Sequence, residues 1–323
     1  MNTTKIEWAD CVWNPVTGCT PVSEGCENCY ARRMAYRLRG RFGYPGDEQF
    51  RVTLHPERLL EPLKWQKPRR VFVCSMGDLF HENVPYDFLE QVFFTMEEAD
   101  HHTFMILTKR PRRALGFLKW LADRWSDWDV GEVWTPPPNI WIGVTAENQA
   151  RADERIPILL QIPAAVRFVS VEPMLGPVDL SQWLEARFCE RHGQLCEEGL
   201  SWENGQLVCR YCKRPVERLR LLDWVIAGGE TGPNARPMHP DWVRSLRDQC
   251  RAAKVPFFFK QWGEWVPYRK SESPVCDLRR LKDNETVMAD PPGWISFARV
   301  GKGRAGRLLD GQTWDEYPKF ETN

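Results

Sequence analysis

The sequence predicts an α/β protein built on a full or partial parallel β/α barrel that carries a small cysteine-rich, zinc-ribbon-like insertion. Three observations carry that expectation: short apolar runs recur between residues 70 and 260, amphipathic stretches alternate with them, and polar residues collect where the runs end. The runs are "RVFVCSMGD" (70–78), "TFMILTKRP" (103–111), "NIWIGVTAEN" (139–148), "VRFVSVEP" (166–173), "DWVIAGGETGP" (223–233) and "VPFFFKQWGE" (255–264). Continuous β-branched and aromatic stretches of about four to six residues suit strands buried on both faces, as in a parallel sheet. The helical stretches are "YDFLEQVFFTMEEA" (86–99), "RRALGFLKWLADRW" (112–125), "QARADERIPILLQI" (149–162) and "DWVRSLRDQCRAA" (241–253), the last with Asp241 as its N-cap. Alternating strand and helix gives right-handed βαβ units. An N-terminal unit with a cysteine loop brings their number to six or seven. An open doubly wound sheet is the competing architecture, and no G-x-G-x-x-G follows any strand to favour it.

The barrel is expected in two parts, 1–180 with the cysteine loop and 221–268. They are separated by the insertion 181–220 and followed by a C-terminal extension, 269–323. A chain of 323 residues, 42% hydrophobic and 27% charged, is ample for one large core plus a small insert. Forty-four basic residues balance forty-four acidic ones, so no global field argues for nucleic acid, while a local basic groove stays open. The N-terminus lacks a signal-peptide profile and no apolar run reaches the roughly 18 residues of a membrane span, so the chain reads as cytoplasmic. In that compartment eleven cysteines read as metal ligands and core residues rather than disulfides.

Ligands of parallel α/β folds bind at the C-terminal strand ends. Here those ends carry Ser75 and Asp78, Thr108 and Lys109, Thr145 and Glu147, Ser170 and Glu172, Gly228, Gly229 and Glu230, and Lys260 and Gln261. Their convergence on one mouth is the active-site expectation. Ahead of them, "WNPVTGCTPVSEGCENCYARR" sets out Cys19-x6-Cys26-x2-Cys29, with the helix-forming "YARRMAYRLRG" directly after. The last thiolates would then lie at a helix N-terminus, which favours anions. Soft thiolates select zinc or iron–sulfur, and no nearby histidine completes a zinc tetrahedron. Three thiolates on a [4Fe–4S] cluster leave one iron open, whereas Cys11 as a fourth ligand would close it.

The insertion reads Cys189-x6-Cys196-x12-Cys209-x2-Cys212 around a turn at Asn204-Gly205, a spacing similar to a structural zinc ribbon, with His192 as an alternative ligand. An auxiliary iron–sulfur cluster and a metal-free insertion are the other readings. Near the end, "GKGRAGR" offers Lys302, Arg304 and Arg307 either to an anion or to solvent.

Together "WNPVTGC…GCENCYA", "VFVCSMGDLFHENVP", "LTKRP", "WIGVTAEN", "FVSVEPMLGPV", "DWVIAGGETGPNARPMHPDWVRSLRDQC" and "PFFFKQWGEW" resemble the phage Gp37/Gp68 family, three-cysteine-motif proteins of the DUF5131-like kind. That family is set by analogy beside radical S-adenosylmethionine (SAM) enzymes of the spore photoproduct lyase-like branch. The resemblance implies a partial barrel, a [4Fe–4S] cluster on Cys19, Cys26 and Cys29, and S-adenosyl-L-methionine on the open iron. The implied chemistry is generation of a 5′-deoxyadenosyl radical, with nucleic acid or a nucleotide as the substrate class. The common radical SAM spacing is C-x3-C-x2-C, and this chain has six residues in the first interval. Carried over by position, Ser75 and Asp78 meet the amino group of the cofactor, Thr145 and Glu147 its ribose or carboxylate, and Lys109 a further cofactor contact. Glu172, Gly228, Gly229 and Glu230 line the later strands, and Cys74 is either a catalytic hydrogen-atom donor or a buried core thiol. The implied partners are a reductant such as flavodoxin or ferredoxin and a three-cysteine-motif partner protein. The rival readings are a non-catalytic iron–sulfur and zinc protein that binds nucleic acid or a partner, and an electron-transfer protein closed by Cys11.

Overall fold

Seven strands form one sheet, and all of them pair in parallel and in chain order: β1 (Cys11–Trp13), β2 (Arg70–Val73), β3 (Thr103–Thr108), β4 (Ile140–Thr145), β5 (Val166–Val171), β6 (Trp224–Gly228) and β7 (Phe257–Gln261). The structure is a computed structural model that describes residues 4–126, 134–189, 194–195, 200–203, 206–209, 217–268, 287–289 and 296–319. Among them β1 and β7 do not pair with each other, so the sheet is a curled half-barrel rather than a closed one. The connecting helices are α1 (Tyr30–Leu38), α2 (Tyr86–Glu98), α3 (Pro111–Trp125), α4 (Gln149–Leu159) and α5 (Pro240–Ala252). α5 starts one residue before the expected Asp241. Pro240 takes the first helical position, where its missing N–H costs nothing, and His239 caps the helix by accepting from Asp241 N at 3.2 Å. None of the helices is long and apolar enough to cross a membrane, among the described residues.

Both faces of the sheet are buried, which is why its strands read as continuous apolar runs. Alternate residues Val71, Val73, Phe104, Ile106, Ile142, Val169, Val225 and Phe257 pack in the cluster that includes Phe88, Phe93 and Phe117 of the helices. The residues between them, Met105, Trp141, Phe168, Trp224, Ile226 and Phe258, form a second cluster inside the curl with Trp8 and Ala9. Trp224 is its centre, with ring centroids of Trp8, Trp141, Phe168, Phe258 and Tyr317 at 5.2–6.2 Å. Three of these contacts, with Trp8, Trp141 and Phe258, are edge-on, and aromatic pairs contribute about 0.5–1.5 kcal/mol each beyond the area buried. Gly143 faces the same interior. A Cβ there would come within 2.6 Å of the Phe168 ring, so a side chain at this place in β4 would displace the aromatic layer.

The two chain ends seal the seam that the open sheet leaves. Residues 314–316 run antiparallel along the free edge of β7 through Phe259 N to Trp314 O (2.9 Å) and Glu316 N to Phe257 O (3.3 Å), covering an edge that would otherwise seek another strand. Tyr317 then lies under Arg70, 4.4 Å from the guanidinium, and Arg70 pairs with Asp10 at 2.9 Å.

Between β5 and β6, strand 185–189 pairs antiparallel with 194–195 and 217–220, and 200–203 pairs with 206–209. Glu203 pairs with Gln206 at the end of this ladder, and the turn expected at Asn204-Gly205 lies outside the described residues. The zinc assignment lies outside the described residues: Cys196, Cys212 and His192 are not described, and neither are the side chains of Cys189 and Cys209. After β7, strands 265–268, 296–299 and 287–289 form a small antiparallel sheet. "GKGRAGR" makes a single helical turn, Lys302–Ala305, with Lys302 paired to Glu7 at 3.1 Å and Arg307 to Asp315.

Overpacking of a filled interior costs about 1–3 kcal/mol. Gly143→Ala is therefore expected to lower unfolding free energy by about that amount in urea denaturation while leaving the urea dependence unchanged; an unaltered midpoint would show that the aromatic layer yields freely.

Candidate functional site

Above the aromatic interior, the C-terminal strand ends surround a cavity of about 260 Å³, and the loop between β1 and α1 lies across its mouth. The loop leaves β1 through Gly18, which has a φ of +87° and donates from its N–H to Met76 O at 2.9 Å. A side chain there would run into the carbonyl of Arg51, so the position needs glycine for both conformation and space. A 3-10 turn at Glu24–Cys26 follows, and Cys29 caps α1, its Sγ accepting from Arg32 N at 3.5 Å. Cys19, Cys26 and Cys29 all line the cavity. Cys11 does not: it packs on the helix side of β1 and is 1% exposed.

Arginines hold the loop over the mouth. Arg110, just after β3 and 6% exposed, spends all three guanidinium nitrogens there. Nη2 donates to Thr20 O (3.0 Å) and Thr20 Oγ1 (2.9 Å), Nη1 to Cys19 Sγ and Asp78 Oδ2 (both 3.3 Å), and Nε to Glu82 (2.9 Å). Arg236 grips the far side, donating to Glu24 O at 3.0 Å and to Glu27 at 3.0 Å, and pairing with Glu230 at 2.6 Å. Arg151 reaches Glu24 at 3.1 Å. Beneath the loop, Glu147 accepts from Ser23 Oγ and pairs with Arg155 at 2.8 Å, both partners at most 2% exposed. Gly25 gives the backbone room to pass, because a Cβ there would lie 2.7 Å from Glu147 Oε1. Removing one member of so buried a pair costs about 3–5 kcal/mol, since the other charge is left uncompensated.

The strand-end residues do converge, mostly as paired charges. Asp78 is saturated: it accepts from Phe80 N (3.0 Å), Thr108 Oγ1 (2.7 Å), Lys109 N (3.1 Å) and Arg110. Glu172 lines the cavity and pairs with Lys260 at 2.8 Å. Glu147 is fully buried and does not line the cavity, whereas Thr145 does. Ser75 lines it and donates to Asn14 Oδ1 at 3.2 Å. Of the glycines, Gly229 lines the cavity and Gly228 packs on Glu172; a side chain on Gly229 would strike Trp262 O, so its smallness serves packing against the chain after β7. Lys109 is the exception among the cavity cations, because its ammonium has no hydrogen-bond or carboxylate partner among the described residues.

Electrostatics separates the thiols. Burial, reinforced by Asp78, pushes Cys19 up to about 11 against the pull of Arg110. Burial also raises Cys26, but Lys109 and the backbone N–H groups of Val22 and Ser23 outweigh it and the net shift is downward. Cys74 closes the cavity floor with a left-handed φ of 59°, and burial pushes its thiol far above the usual range. Cys11 is likewise raised by burial, to about 11.

Among the described residues no three His, Cys, Asp or Glu side chains gather to hold a metal ion. Zinc needs all its sulfurs about 2.3 Å from one point. A cluster differs, because each thiolate takes its own iron at a separate corner. Cys19, Cys26 and Cys29 are spread around one cavity, a donor set of the kind a cluster that offers each thiolate its own iron would take.

Arg110, Arg151, Arg155, Arg236 and Ser23 were not among the expected site residues. Arg110 and Arg236 stand inside "LTKRP" and "GGETGPNARP", so their signal is position after a strand. Nothing in spacing says which backbone a guanidinium will grip.

The profile of the DUF5131 family, described as a protein of unknown function, matches residues 3–318. No curated protein matches the chain. Solved structures with similarity to it include spore photoproduct lyase complexed with dinucleoside spore photoproduct, at 9% identity over 93% of this chain and 71% of that one, TM-score 0.40. A cysteine-to-serine mutant of that lyase gives 11% identity over 92% and 70%, TM-score 0.42. A double mutant with bound AdoMet and dinucleoside spore photoproduct gives 9% over 92% and 70%, TM-score 0.38. Likeness at these scores carries no functional argument.

The thiolate is the reacting form, so a lowered pKa means reaction at lower pH. In metal-free protein at about pH 8, iodoacetamide is expected to label Cys26 well ahead of Cys19, with Cys19 catching up only as pH approaches 11. Lys109→Met should slow Cys26 labelling. Peptide mass spectrometry reads both rates, and equal labelling of the two thiols would contradict the assignment.

Proposed function

The chain belongs to the DUF5131 family, and from its cavity we propose that it is a radical S-adenosylmethionine enzyme that acts on nucleic acid or a nucleotide, kin to the phage Gp37/Gp68 proteins. One observation carries the proposal: Cys19, Cys26 and Cys29 line a single cavity at the strand ends, while Cys11, the residue that could have closed the site, packs on the opposite face of the sheet. That arrangement suits a [4Fe–4S] cluster with one iron left for a ligand, and it weakens the electron-transfer alternative.

Bound there, the cluster and S-adenosylmethionine supply the one-electron chemistry that opens the cofactor for hydrogen abstraction. The chain's own residues bind, orient and shield. Arg110 fixes Cys19 from β3 and Arg236 fixes the 3-10 turn from the end of β6, so the two sides of the loop are held by different strands. Asp78 and Thr108 hold Arg110 and Lys109 in place rather than standing free. Lys109, without a side-chain partner among the described residues, is assigned to an anionic group of the cofactor, such as its carboxylate. Ser75 and Glu172 offer the polar contacts for its amino group, Thr145 and the Gly229-Glu230 backbone line the nucleoside side, and Gly228 gives Glu172 room. Glu147 acts beneath the loop through Arg155 and Ser23. Burial keeps Cys74 protonated, so its S–H is available as a hydrogen-atom donor to a substrate radical. We assign structural zinc to Cys189, Cys196, Cys209 and Cys212, and a flavodoxin- or ferredoxin-like reductant as the source of electrons.

Cys19→Ala, Cys26→Ala or Cys29→Ala in anaerobically prepared protein is expected to remove the iron and the formation of 5′-deoxyadenosine. Cys11→Ala should keep both, and Cys209→Ser should release zinc without iron. Metal analysis and chromatography of the reduced protein with S-adenosylmethionine make the comparison. Retention of full iron by all three loop variants, or its loss in Cys11→Ala, would overturn the cluster assignment.

A further inference from the structure

Next to the cavity, the surface of α1 and the turn after it is built unlike the rest of the chain. Residues 30–46, "YARRMAYRLRGRFGYPG", contain five arginines and no carboxylate, in a protein whose total charge is balanced at +0. Two of the arginines are engaged by backbone carbonyls: Arg32 donates to Glu27 O at 2.7 Å, and Arg33 to Thr231 O at 3.2 Å. Arg37, Arg39 and Arg41 are exposed and have no carboxylate partner among the described residues. The nearest downstream acid with an ion pair, Asp47, is engaged by Arg51 at 3.4 Å.

Aromatic rings interleave with these cations. Tyr30, Tyr36 and Phe42 are 57%, 58% and 74% exposed and stand among the most exposed large hydrophobic residues of the protein. Tyr30 also lines the cavity, and six residues further along the helix, about 9 Å, comes Tyr36. Arg39 lies 4.8 Å over the Tyr36 ring. Phe42 is held outward on a left-handed backbone, φ 51°, between Gly40 and Gly43, with its carbonyl fixed by Arg58 at 2.7 Å. A bulky residue in that conformation is strained, and here the strain presents a bare ring to solvent.

We propose that the face formed by Tyr36, Arg37, Arg39, Arg41 and Phe42 binds single-stranded nucleic acid and leads it past Tyr30 to the cavity. Guanidinium groups track phosphates, and exposed rings give unpaired bases a stacking platform that a duplex or a folded protein has no use for. The inference rests on the reading of the cavity as the reaction site and narrows its substrate class to single strands. An acidic partner protein would be drawn by the same arginines, but it gives no role to the exposed rings of Tyr36 and Phe42 among them.

The test is fluorescence anisotropy with labelled oligodeoxythymidine and oligouridine of about twenty nucleotides, using the full chain across a range of salt. The wild type should bind at least one of the two. Arg37→Ala/Arg39→Ala/Arg41→Ala should flatten the slope of log affinity against log salt by about two, because each phosphate contact to a single strand contributes roughly 0.7. Tyr36→Ala and Phe42→Ala should each weaken binding about tenfold with the slope kept, and Tyr36→Phe should restore it. All these side chains are exposed, so circular dichroism melting should stay at the wild-type value. Absence of binding to either strand, or equal binding by wild type and all variants, overturns the proposal. So does a variant set that binds strands normally and loses only the rate of reduction by flavodoxin, which would make the face a protein dock. Since the readout is binding, its failure leaves 5′-deoxyadenosine formation untouched, and loss of that activity leaves the binding result standing.

Discussion

The loop that carries Cys19, Cys26 and Cys29 stays over the cavity because guanidinium groups hold its backbone carbonyls. Between Gly18 and α1 it has no strand partner among the described residues; Cys19 N reaches Phe50 O at 3.1 Å and the 3-10 turn bonds within itself, and side chains hold several of the other carbonyls. Arg110 takes Thr20 O, Arg236 takes Glu24 O, and Arg32 takes Glu27 O. Each of the first two is in turn neutralised by a carboxylate from a strand end, Asp78 or Glu230, so the loop is registered against the sheet. Arginine suits this work better than lysine, because one planar fork can hold a carbonyl and a carboxylate at once.

The same constraint explains the chemistry of the strand ends. A half-barrel with both faces buried places its polar residues at one rim, where solvent is scarce, and charges there persist in pairs. Asp78 with Arg110, Glu147 with Arg155, Glu172 with Lys260 and Glu230 with Arg236 form a rim of neutralised pairs. Lys109 stands out against that background. Its ammonium, without a hydrogen-bond or carboxylate partner among the described residues, gives the cavity a positive point beside Cys26, the thiol whose ionisation it favours. Below the rim the Trp224 cluster fills the barrel interior, and Phe72 and Leu107, which pack on it, line the cavity beside Cys74.

Much of the architecture was legible because the period of the sequence is physical. Runs such as 140–145 and 166–171 are apolar on both faces, and only a sheet covered on both sides asks for that. The three cysteines and the strand-end positions were legible from spacing and from the rule that sites collect at C-terminal ends. The pairing was not. Asp78 and Glu147 look like ligand carboxylates in the sequence, but the first carries four internal hydrogen bonds and the second lies under the loop with Arg155. Which carboxylate is left free depends on contacts such as Arg110 on Asp78, 32 residues apart, and which loop carbonyl is held depends on longer ones, Arg110 on Thr20 at 90 residues and Arg236 on Glu24 at 212; periodicity carries no record of such contacts. The closure of the seam by Trp8 and by 314–317 was equally invisible, since a covered edge and an exposed tail have the same composition.

If the three-thiol loop holds a cluster with one open corner, that corner must respond to the cofactor while the others do not. Mössbauer spectroscopy of protein reconstituted with isotopically enriched iron, recorded with and without S-adenosylmethionine, separates the sites directly. The expected result is one iron in four changing its parameters on addition of the cofactor; four irons that stay equivalent in both spectra would contradict the open corner and return Cys11 or another ligand to the cluster.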